Sequence, residues 1–347
     1  MSMSGEFLSP SAAAERLGVS TKALRLYEQR GLIAPLRTAA GWRTYGPGEM
    51  AVLSEIVALR ALGLSLAQIA RVVEGDAECL EPALAAHQET LETRMHRLGE
   101  TLEAVRGIRV DLAQGRVPAA GALGRLVRPQ ADVRVALKLP HPWGGETFEL
   151  RDIRALNFII GPLGSGKTRL ALALAEKLPG AAFVGLDRLE DGGAAAQAKL
   201  DADVALKATV DEALSWLAGD GATVSPALIA LLVALDGGDA AMLVVDMVEQ
   251  GLDHATQEAL IARLRNRGSG ARPLFLLTRS SAILDLAAVG PDEAIILCPA
   301  NHSPPTRVAP VPGAPGYEAV ATCLASPEVR ARTEGVIAWR PRACAGG

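Results

Sequence analysis

Apolar positions recur with a helical period at the start of the chain, in short runs separated by turn residues. Ser9-Pro10 predicts the start of a first helix, and Gly18-Val19 predicts the turn after it. Ser20 is a typical N-cap for a second helix, which Gly31 ends. Two short helices joined by a tight turn indicate a helix-turn-helix, a unit that presents its second helix to the DNA major groove.

The pattern changes after the second helix. The stretch LIAPLRTAAGWRTYGPGEM is extended and interrupted by glycine, which predicts a β-hairpin, or wing. Pro47-Gly48 then opens a third helix through Leu62, and Ser65 caps a fourth. Residues 1–75 are therefore expected to form a mainly α-helical winged helix-turn-helix domain that binds DNA.

A long helix is predicted over residues 76–114. Its apolar positions have the alternating spacings of a coiled-coil seam. They are Leu84, Leu91, Met95, Leu98, Leu102, Val105 and Leu112. We expect this helix to pair two copies into a homodimer, although the seam would also suit packing against the chain's own second domain. Residues 115–130 are rich in Gly, Pro and Ala and predict a linker.

The second domain, over residues 131–300, contains a phosphate-binding motif in its expected setting. The strand ALNFII runs into GPLGSGKT, and the helix TRLALALAEKL follows, so G-x-x-x-x-G-K-[ST] lies between a strand and a helix. The alternative is a glycine-rich turn with an unrelated lysine. Backbone N–H groups of such a loop surround phosphates, its Lys reaches the β- and γ-phosphates, and its Thr binds Mg²⁺. The predicted ATP-binding residues are Gly161, Pro162, Leu163, Gly164, Ser165, Gly166, Lys167 and Thr168.

An acidic residue follows a second buried strand. Met242 to Val245 are all apolar, which predicts a parallel strand, and Asp246 at its end is placed to hold Mg²⁺ with Thr168. A third strand, PLFLLTR, supports an α/β fold with a mainly parallel sheet. Residues 301–347 are rich in proline, with a short helix from Tyr317, and we assign them no chemistry.

Composition agrees with this two-domain picture. Hydrophobic residues make up 49% and charged residues 21% of 347 positions, enough for two packed cores. The net charge of −4 conceals a basic segment, because residues 9–72 hold eight Lys and Arg but four Glu.

Several classes are disfavoured by what the sequence lacks. The four cysteines, Cys79, Cys298, Cys323 and Cys344, are far apart, which argues against a disulfide, a zinc site or metal sensing. Neither an apolar run of membrane-spanning length nor a secretory signal is evident. We therefore expect a cytoplasmic protein without a membrane partner.

Residues 13–73 closely resemble the MerR family of bacterial transcription regulators. The landmarks are LR-x-YE-x-x-GLI from Leu24, WRTY from Trp42 and LGLSLAQI from Leu62, in the family's order. Leu26 departs from the tyrosine usual there. The resemblance implies that the second helix reads the major groove and that the wing grips phosphates, whereas a merely solvated basic face is the alternative. The implied DNA contacts are Thr21, Lys22, Arg25 and Tyr27 on the helix, with Arg43 and Tyr45 on the wing.

The same resemblance implies the assembly. The long helix would pair antiparallel with that of a second copy and place two DNA-binding domains on a pseudo-palindromic operator in double-stranded DNA. RNA polymerase would be a further partner.

The second domain resembles the ATPase domains of the ABC and structural-maintenance-of-chromosomes superfamily. Leu252-Asp253 match its D-loop, and Trp143 is placed to stack on adenine. The departures concern hydrolysis: Met247 stands where the family has its catalytic glutamate, and Arg279 replaces the switch histidine. Glu249 and Arg279 are the remaining catalytic candidates, so we expect weak or absent ATPase turnover.

A faint counterpart of the superfamily's signature motif lies at residues 218–222. The usual helical subdomain is expected to be much reduced, because the sequence before this motif is short.

Three functions are compatible with these features. The first is a MerR-type transcription regulator whose activity is modulated by ATP binding. The second is a DNA-associated ATPase in repair or defence, which Met247 argues against. The third is an architectural DNA binder with a vestigial nucleotide fold, which the intact Lys167, Thr168 and Asp246 disfavour.

Overall fold

The computed structural model describes residues 7–117, 135–267 and 271–325. Its helices are α1 (Pro10–Leu17), α2 (Thr21–Gln29), α3 (Pro47–Ala61), α4 (Leu66–Val73), α5 (Leu80–Ala113), α6 (Lys167–Lys177), α7 (Ala194–Ala202), α8 (Val204–Gly219), α9 (Pro226–Asp236), α10 (His254–Arg265) and α11 (Tyr317–Cys323). Its strands are β1 (Leu36–Arg37), β2 (Arg43–Thr44), β3 (Val135–Lys138), β4 (Thr147–Leu150), β5 (Leu156–Ile160), β6 (Ala181–Val184), β7 (Met242–Val245), β8 (Leu274–Leu277), β9 (Glu293–Leu297) and β10 (Thr306–Val308). Most of the predicted linker and the last 22 residues, which include Cys344, lie outside the described residues.

The N-terminal domain is a small helical unit with capped helices. The side chains of Ser9, Ser20 and Ser65 each accept a backbone N–H in the first turn of the helix that follows. Gly18 ends α1 with φ of 66°, a left-handed conformation that glycine adopts without strain. The helices enclose one core, whose fully buried residues include Leu24, Leu53, Ile56, Leu64, Leu66 and Ile69. The predicted helix-turn-helix order is confirmed.

A hairpin projects from this domain where the sequence predicts one. Strands β1 and β2 pair antiparallel, with Leu36 opposite Thr44. Next to the second strand, the Trp42 side chain is 74% exposed.

Helix α5 carries its apolar seam on an exposed face. Leu84, Met95 and Leu98 are 51%, 70% and 61% exposed. The seam therefore does not pack against the second domain of the same chain, which was one of the two predicted uses.

The second domain is a three-layer α/β unit. In the part of the chain that the structure describes, a six-stranded sheet has the order β10-β9-β5-β8-β7-β6, and only β10 runs antiparallel to its neighbour. Each face of the sheet has its own apolar core, because Phe158 points to one face and Ile159 to the other. Helix α6 covers one face, and α8, α9 and α10 cover the other.

This domain extends past residue 300, its predicted boundary. Strand β10 pairs with β9, and Val320 of α11 is completely buried in the core. The helix predicted from Tyr317 is α11, whereas β10 was not predicted, because a strand of three residues gives little alternation to detect.

Candidate functional site

The P-loop occupies the turn between β5 and α6. Strand β5 is buried throughout, and helix α6 begins at Lys167 directly after the glycines. Gly164 and Gly166 have positive φ angles of 81° and 90°, which curve the backbone into the concave form that binds anions. The Lys167 ammonium donates to the carbonyl oxygens of Gly161 and Pro162 at 2.6 and 2.7 Å.

Aromatic packing fixes the shape of this loop. A Cβ on Gly166 would lie 2.6 Å from the ring of Trp143 and 2.9 Å from Pro142, so only glycine fits there. Trp143 is 5% exposed, and its indole N–H donates to the carbonyl of Ser303 at 3.0 Å. The residue proposed to stack on adenine thus lies beneath the P-loop.

Two oxygen groups meet at the start of α6. The Thr168 hydroxyl lies 3.2 Å from a carboxylate oxygen of Asp246, which follows the buried strand β7. Burial raises the pKa of Asp246, and the hydrogen bond from Thr168 partly offsets this. A hydroxyl and a carboxylate at the first residues of a P-loop helix fit Mg²⁺, which prefers oxygen ligands. Nearby, the buried Ser165 hydroxyl has no hydrogen-bond partner within the described residues.

Positive charge is concentrated beside the loop. Burial lowers the pKa of Lys167, and the cationic Arg279 lowers it further. An anionic ligand would relieve this repulsion. A cavity of about 640 Å³ opens here, lined in part by Gly161, Leu163, Arg279 and Asn301. These features fit a nucleotide phosphate chain.

The turn after Asp246 is held in an unusual conformation. Met247 has φ of 45°, which is rare for a residue with a side chain. The Arg188 guanidinium stabilises the turn by donating to the carbonyls of Asp246 and Met247 at 3.0 and 2.8 Å. Arg188 was not predicted as a site residue, because a lone arginine after an unpredicted strand (β6) gives no signal.

The two candidate catalytic residues are linked through the backbone. Glu249 is 2% exposed, and its carboxylate accepts the backbone N–H of Arg279 at 3.0 Å. This contact joins the turn after β7 to the end of β8. The Arg279 side chain lies along the cavity, on the same side as the P-loop.

The candidate DNA contacts on α2 lie on two faces. Thr21 and Arg25 are exposed to solvent. The Lys22 ammonium instead lies 2.7 Å from the carboxylate of Glu258, a residue of α10 in the second domain. Tyr27 is 5% exposed and packs in the core of the N-terminal domain.

The hairpin candidates form a cluster around Glu28. The Tyr45 hydroxyl donates to the Glu28 carboxylate, and the Arg43 guanidinium pairs with it at 3.0 Å. Tyr45 is completely buried, and burial together with this hydrogen bond raises its pKa. The cluster connects the hairpin rigidly to α2.

The folded units define a class of protein: a helix-turn-helix domain with a long exposed helix, joined to an α/β domain with a mostly parallel sheet. Residues 8–76 match the model of the MerR HTH family regulatory protein. Heavy metal-dependent transcription regulator 2 of Rhizobium meliloti (strain 1021) is 38% identical over 106 residues, which cover 25% of this chain and 71% of that protein. The chain belongs to the MerR family of transcription regulators.

Solved structures resemble parts of the chain only distantly. The MerR family regulator HiNmlR, which lacks the sensor domain and is bound to promoter DNA, is 24% identical with a TM-score of 0.25; the match covers 32% of this chain and 93% of that one. A putative metal-chelate type ABC transporter in an inward-facing conformation is 14% identical with a TM-score of 0.35, covering 51% and 81%. Likenesses this weak support no further conclusion.

The described residues lack two further features. They contain no group of three or more His, Cys, Asp and Glu side chains arranged to hold a metal ion. None of their helices is long and apolar enough to cross a membrane.

Proposed function

We propose that this transcription regulator binds operator DNA as a homodimer and that Mg²⁺ and ATP at the P-loop set its DNA affinity. The proposal of nucleotide binding rests on one observation: Lys167, Thr168 and Asp246 lie together beside a glycine loop whose shape Trp143 fixes. Lys167 would hold the β- and γ-phosphates, and Thr168 and Asp246 would hold Mg²⁺. The metal would neutralise phosphate charge.

The proposal of DNA binding rests on family membership and on the exposed Thr21 and Arg25 of α2. Thr21, Lys22 and Arg25 would contact DNA in the major groove, while Arg43 would approach the backbone from the hairpin wing. Tyr27 and Tyr45 would act indirectly, because both are buried and support the shape of the domain.

The exposed seam of α5 supports the dimer. Apolar side chains at coiled-coil spacing, all in contact with solvent in one chain, are stabilised when a second copy covers them. Two paired helices would place two DNA-binding domains on a pseudo-palindromic operator. RNA polymerase would then be the partner through which bound regulator affects transcription.

We propose that hydrolysis is slow or absent. A general base contributes about 10²- to 10⁴-fold to such a reaction. Met247 carries no titratable group, and the Glu249 carboxylate already accepts the Arg279 N–H. Binding energy would then serve to shift a conformational equilibrium rather than to drive turnover.

The test begins with DNA sequences that the purified chain selects from a random duplex pool. Affinity for the selected duplex is measured by fluorescence anisotropy at fixed salt, without nucleotide, with Mg·ATP and with Mg·ADP. We expect Mg·ATP to change the affinity of the wild type by about 5- to 150-fold, the usual range of coupling between sites. The Lys167→Ala variant should respond to neither nucleotide. Equal affinities in all conditions would overturn nucleotide control, and failure to select any sequence would overturn operator recognition.

A strong ATPase rate stimulated by DNA would instead favour the DNA-associated ATPase. The same duplex and the same variant serve for that assay.

A further inference from the structure

One side of the proposed DNA-reading helix faces the second domain across a cavity. The residues of α2 and its preceding turn that face α10 recur at helical spacing: Val19, Lys22, Ala23 and Leu26. With Ile261, Arg265 and neighbouring residues they line a cavity of about 420 Å³ between the domains. Lys22 and Glu258, which form an ion pair, both line this cavity. Glu258 also lies 2.8 Å from the His254 ring.

Asp220 forms a second connection between the domains. Its carboxylate pairs with Arg60 at 2.9 Å and accepts the backbone N–H of Leu66 at 2.6 Å, while its carbonyl accepts a bond from Arg30 at 2.8 Å. Asp220 is 4% exposed, so these bonds are largely shielded from water. All three partners belong to the N-terminal domain.

Close backbone approach accompanies these bonds. A Cβ on Gly219 would lie 2.8 Å from the Ser65 hydroxyl and 3.3 Å from its Cβ, so a side chain at this position forces Ser65 to move. The Trp216 indole N–H donates to the carbonyl of Gly63 at 2.8 Å, and the Arg60 guanidinium lies 5.3 Å from the Trp216 ring centre. We call the contacts of Lys22, Arg30, Arg60, Ser65 and Leu66 with Trp216, Gly219, Asp220 and Glu258 the interdomain interface.

Helix α10 connects this interface to the nucleotide site. Gln257 donates to the carbonyl of Leu252 at 2.7 Å and accepts from Ser280 at 2.6 Å, next to Arg279. Thr256 accepts the backbone N–H of Thr223, three residues after Asp220. Glu258 follows Gln257 directly, so the partner of Lys22 and the residue bonded to Ser280 are neighbours on one helix.

From these contacts we infer that the interdomain interface is autoinhibitory: it holds α2 away from DNA and competes with DNA for Lys22. A DNA phosphate at Lys22 would lie against the carboxylate of Glu258, so the two anions would compete for the ammonium. Separation of the domains would break the buried Asp220 contacts. The inference rests on the proposed function, because it assumes that α2 binds DNA. Attraction of Arg279 to a bound phosphate would then move α10 and weaken the interface.

A steric test uses Gly219→Ala, which changes no charge and favours the helix that it ends. The nearest neighbours of the new methyl group are Ser65 and Ala67 of the other domain. We expect the affinity of nucleotide-free protein for the selected duplex to rise by about 5-fold or more. The matched control is Gly290→Ala, because a Cβ there would meet nothing within 4 Å.

An electrostatic test uses Glu258→Gln, which removes the partner of Lys22 and should also raise the affinity. Its control is Glu176→Gln, an exposed acid that pairs with Lys177 and is remote from the interface. If both Gln variants bind DNA more tightly, the cause is weaker general charge repulsion between protein and DNA. That result would count against the interface.

A covalent test works in the opposite direction. Cysteines introduced as Ser65→Cys and Gly219→Cys have Cβ positions 3.3 Å apart, close to the range of about 3.5–4.5 Å in disulfides. Oxidation joins the two sulfurs with loss of two electrons and two protons to added diamide. The oxidised protein should lose DNA binding, and dithiothreitol should restore it.

The inference fails if Gly219→Ala and Glu258→Gln leave DNA affinity unchanged, if the disulfide does not form, or if the disulfide-bonded protein binds DNA normally. Failure of nucleotide control alone has a different signature. Mg·ATP would then have no effect on the wild type, while Gly219→Ala would still bind DNA more tightly.

Discussion

Gly164 and Gly166 both have left-handed backbone conformations, but only Gly166 lies against an aromatic ring. A side chain at either position costs roughly 1–2 kcal/mol because of its φ angle. At Gly166 the clash with Trp143 adds about 1–3 kcal/mol of overpacking. Glycine is therefore required at Gly166 by both the backbone conformation and the neighbouring ring, and at Gly164 by the backbone conformation alone.

We therefore predict that Gly166→Ala destabilises the second domain more than Gly164→Ala and weakens ATP binding further. Thermal unfolding and titration with a fluorescent ATP analogue measure the two effects. Equal losses in both variants would show that Trp143 does not shape the loop.

Met247 allows a test of the hydrolysis argument at a single residue. We predict that Met247→Glu, which places a carboxylate directly after Asp246, raises ATP turnover by about 10²-fold or more if a base is what the site lacks. Met247→Gln has the same shape without the base and should leave turnover at the wild-type level. Phosphate release under single-turnover conditions measures both; matched rates in the two variants would contradict the argument.

The elements differ in how far the sequence predicts them. Serine caps, the glycine at the end of α1 and the glycine-rich turn between β5 and α6 follow local rules, and the structure shows each of them where it was predicted. Strands β6, β9 and β10 were not predicted; β6 is rich in alanine and β10 has three residues. The partner of β6 is β7, which is distant in sequence, and short strands depend on such partners.

Helix α5 provides a test at the scale of an element. We predict that Leu98→Glu converts the dimer to a monomer, because it places a charge in the apolar seam. The monomer should bind the selected duplex with much lower affinity. Ala86→Glu is the control, since it adds the same charge on the opposite face of the helix. Light scattering after size-exclusion chromatography measures the mass, and a dimer in both variants would show that the seam is not the interface.

At the scale of the whole molecule, the contacts between domains are the part that the sequence could not predict. Arg60 and Asp220 are 160 residues apart, and the faint signature-like motif that contains Asp220 does not indicate Arg60 as its partner. Lys22 was predicted to contact DNA, and nothing in its surroundings indicated Glu258 as a partner. Long-range contacts of this kind arise from packing two folded units together, so local patterns do not encode them.

The central claim is that nucleotide at the P-loop weakens the interdomain interface. The most direct measurement is the rate of disulfide formation in the Ser65→Cys, Gly219→Cys protein, followed with and without Mg·ATP. We predict that Mg·ATP slows this reaction several-fold and that adding Lys167→Ala removes the effect. A rate that Mg·ATP does not change, or one that it still lowers in the Lys167→Ala background, would contradict the account.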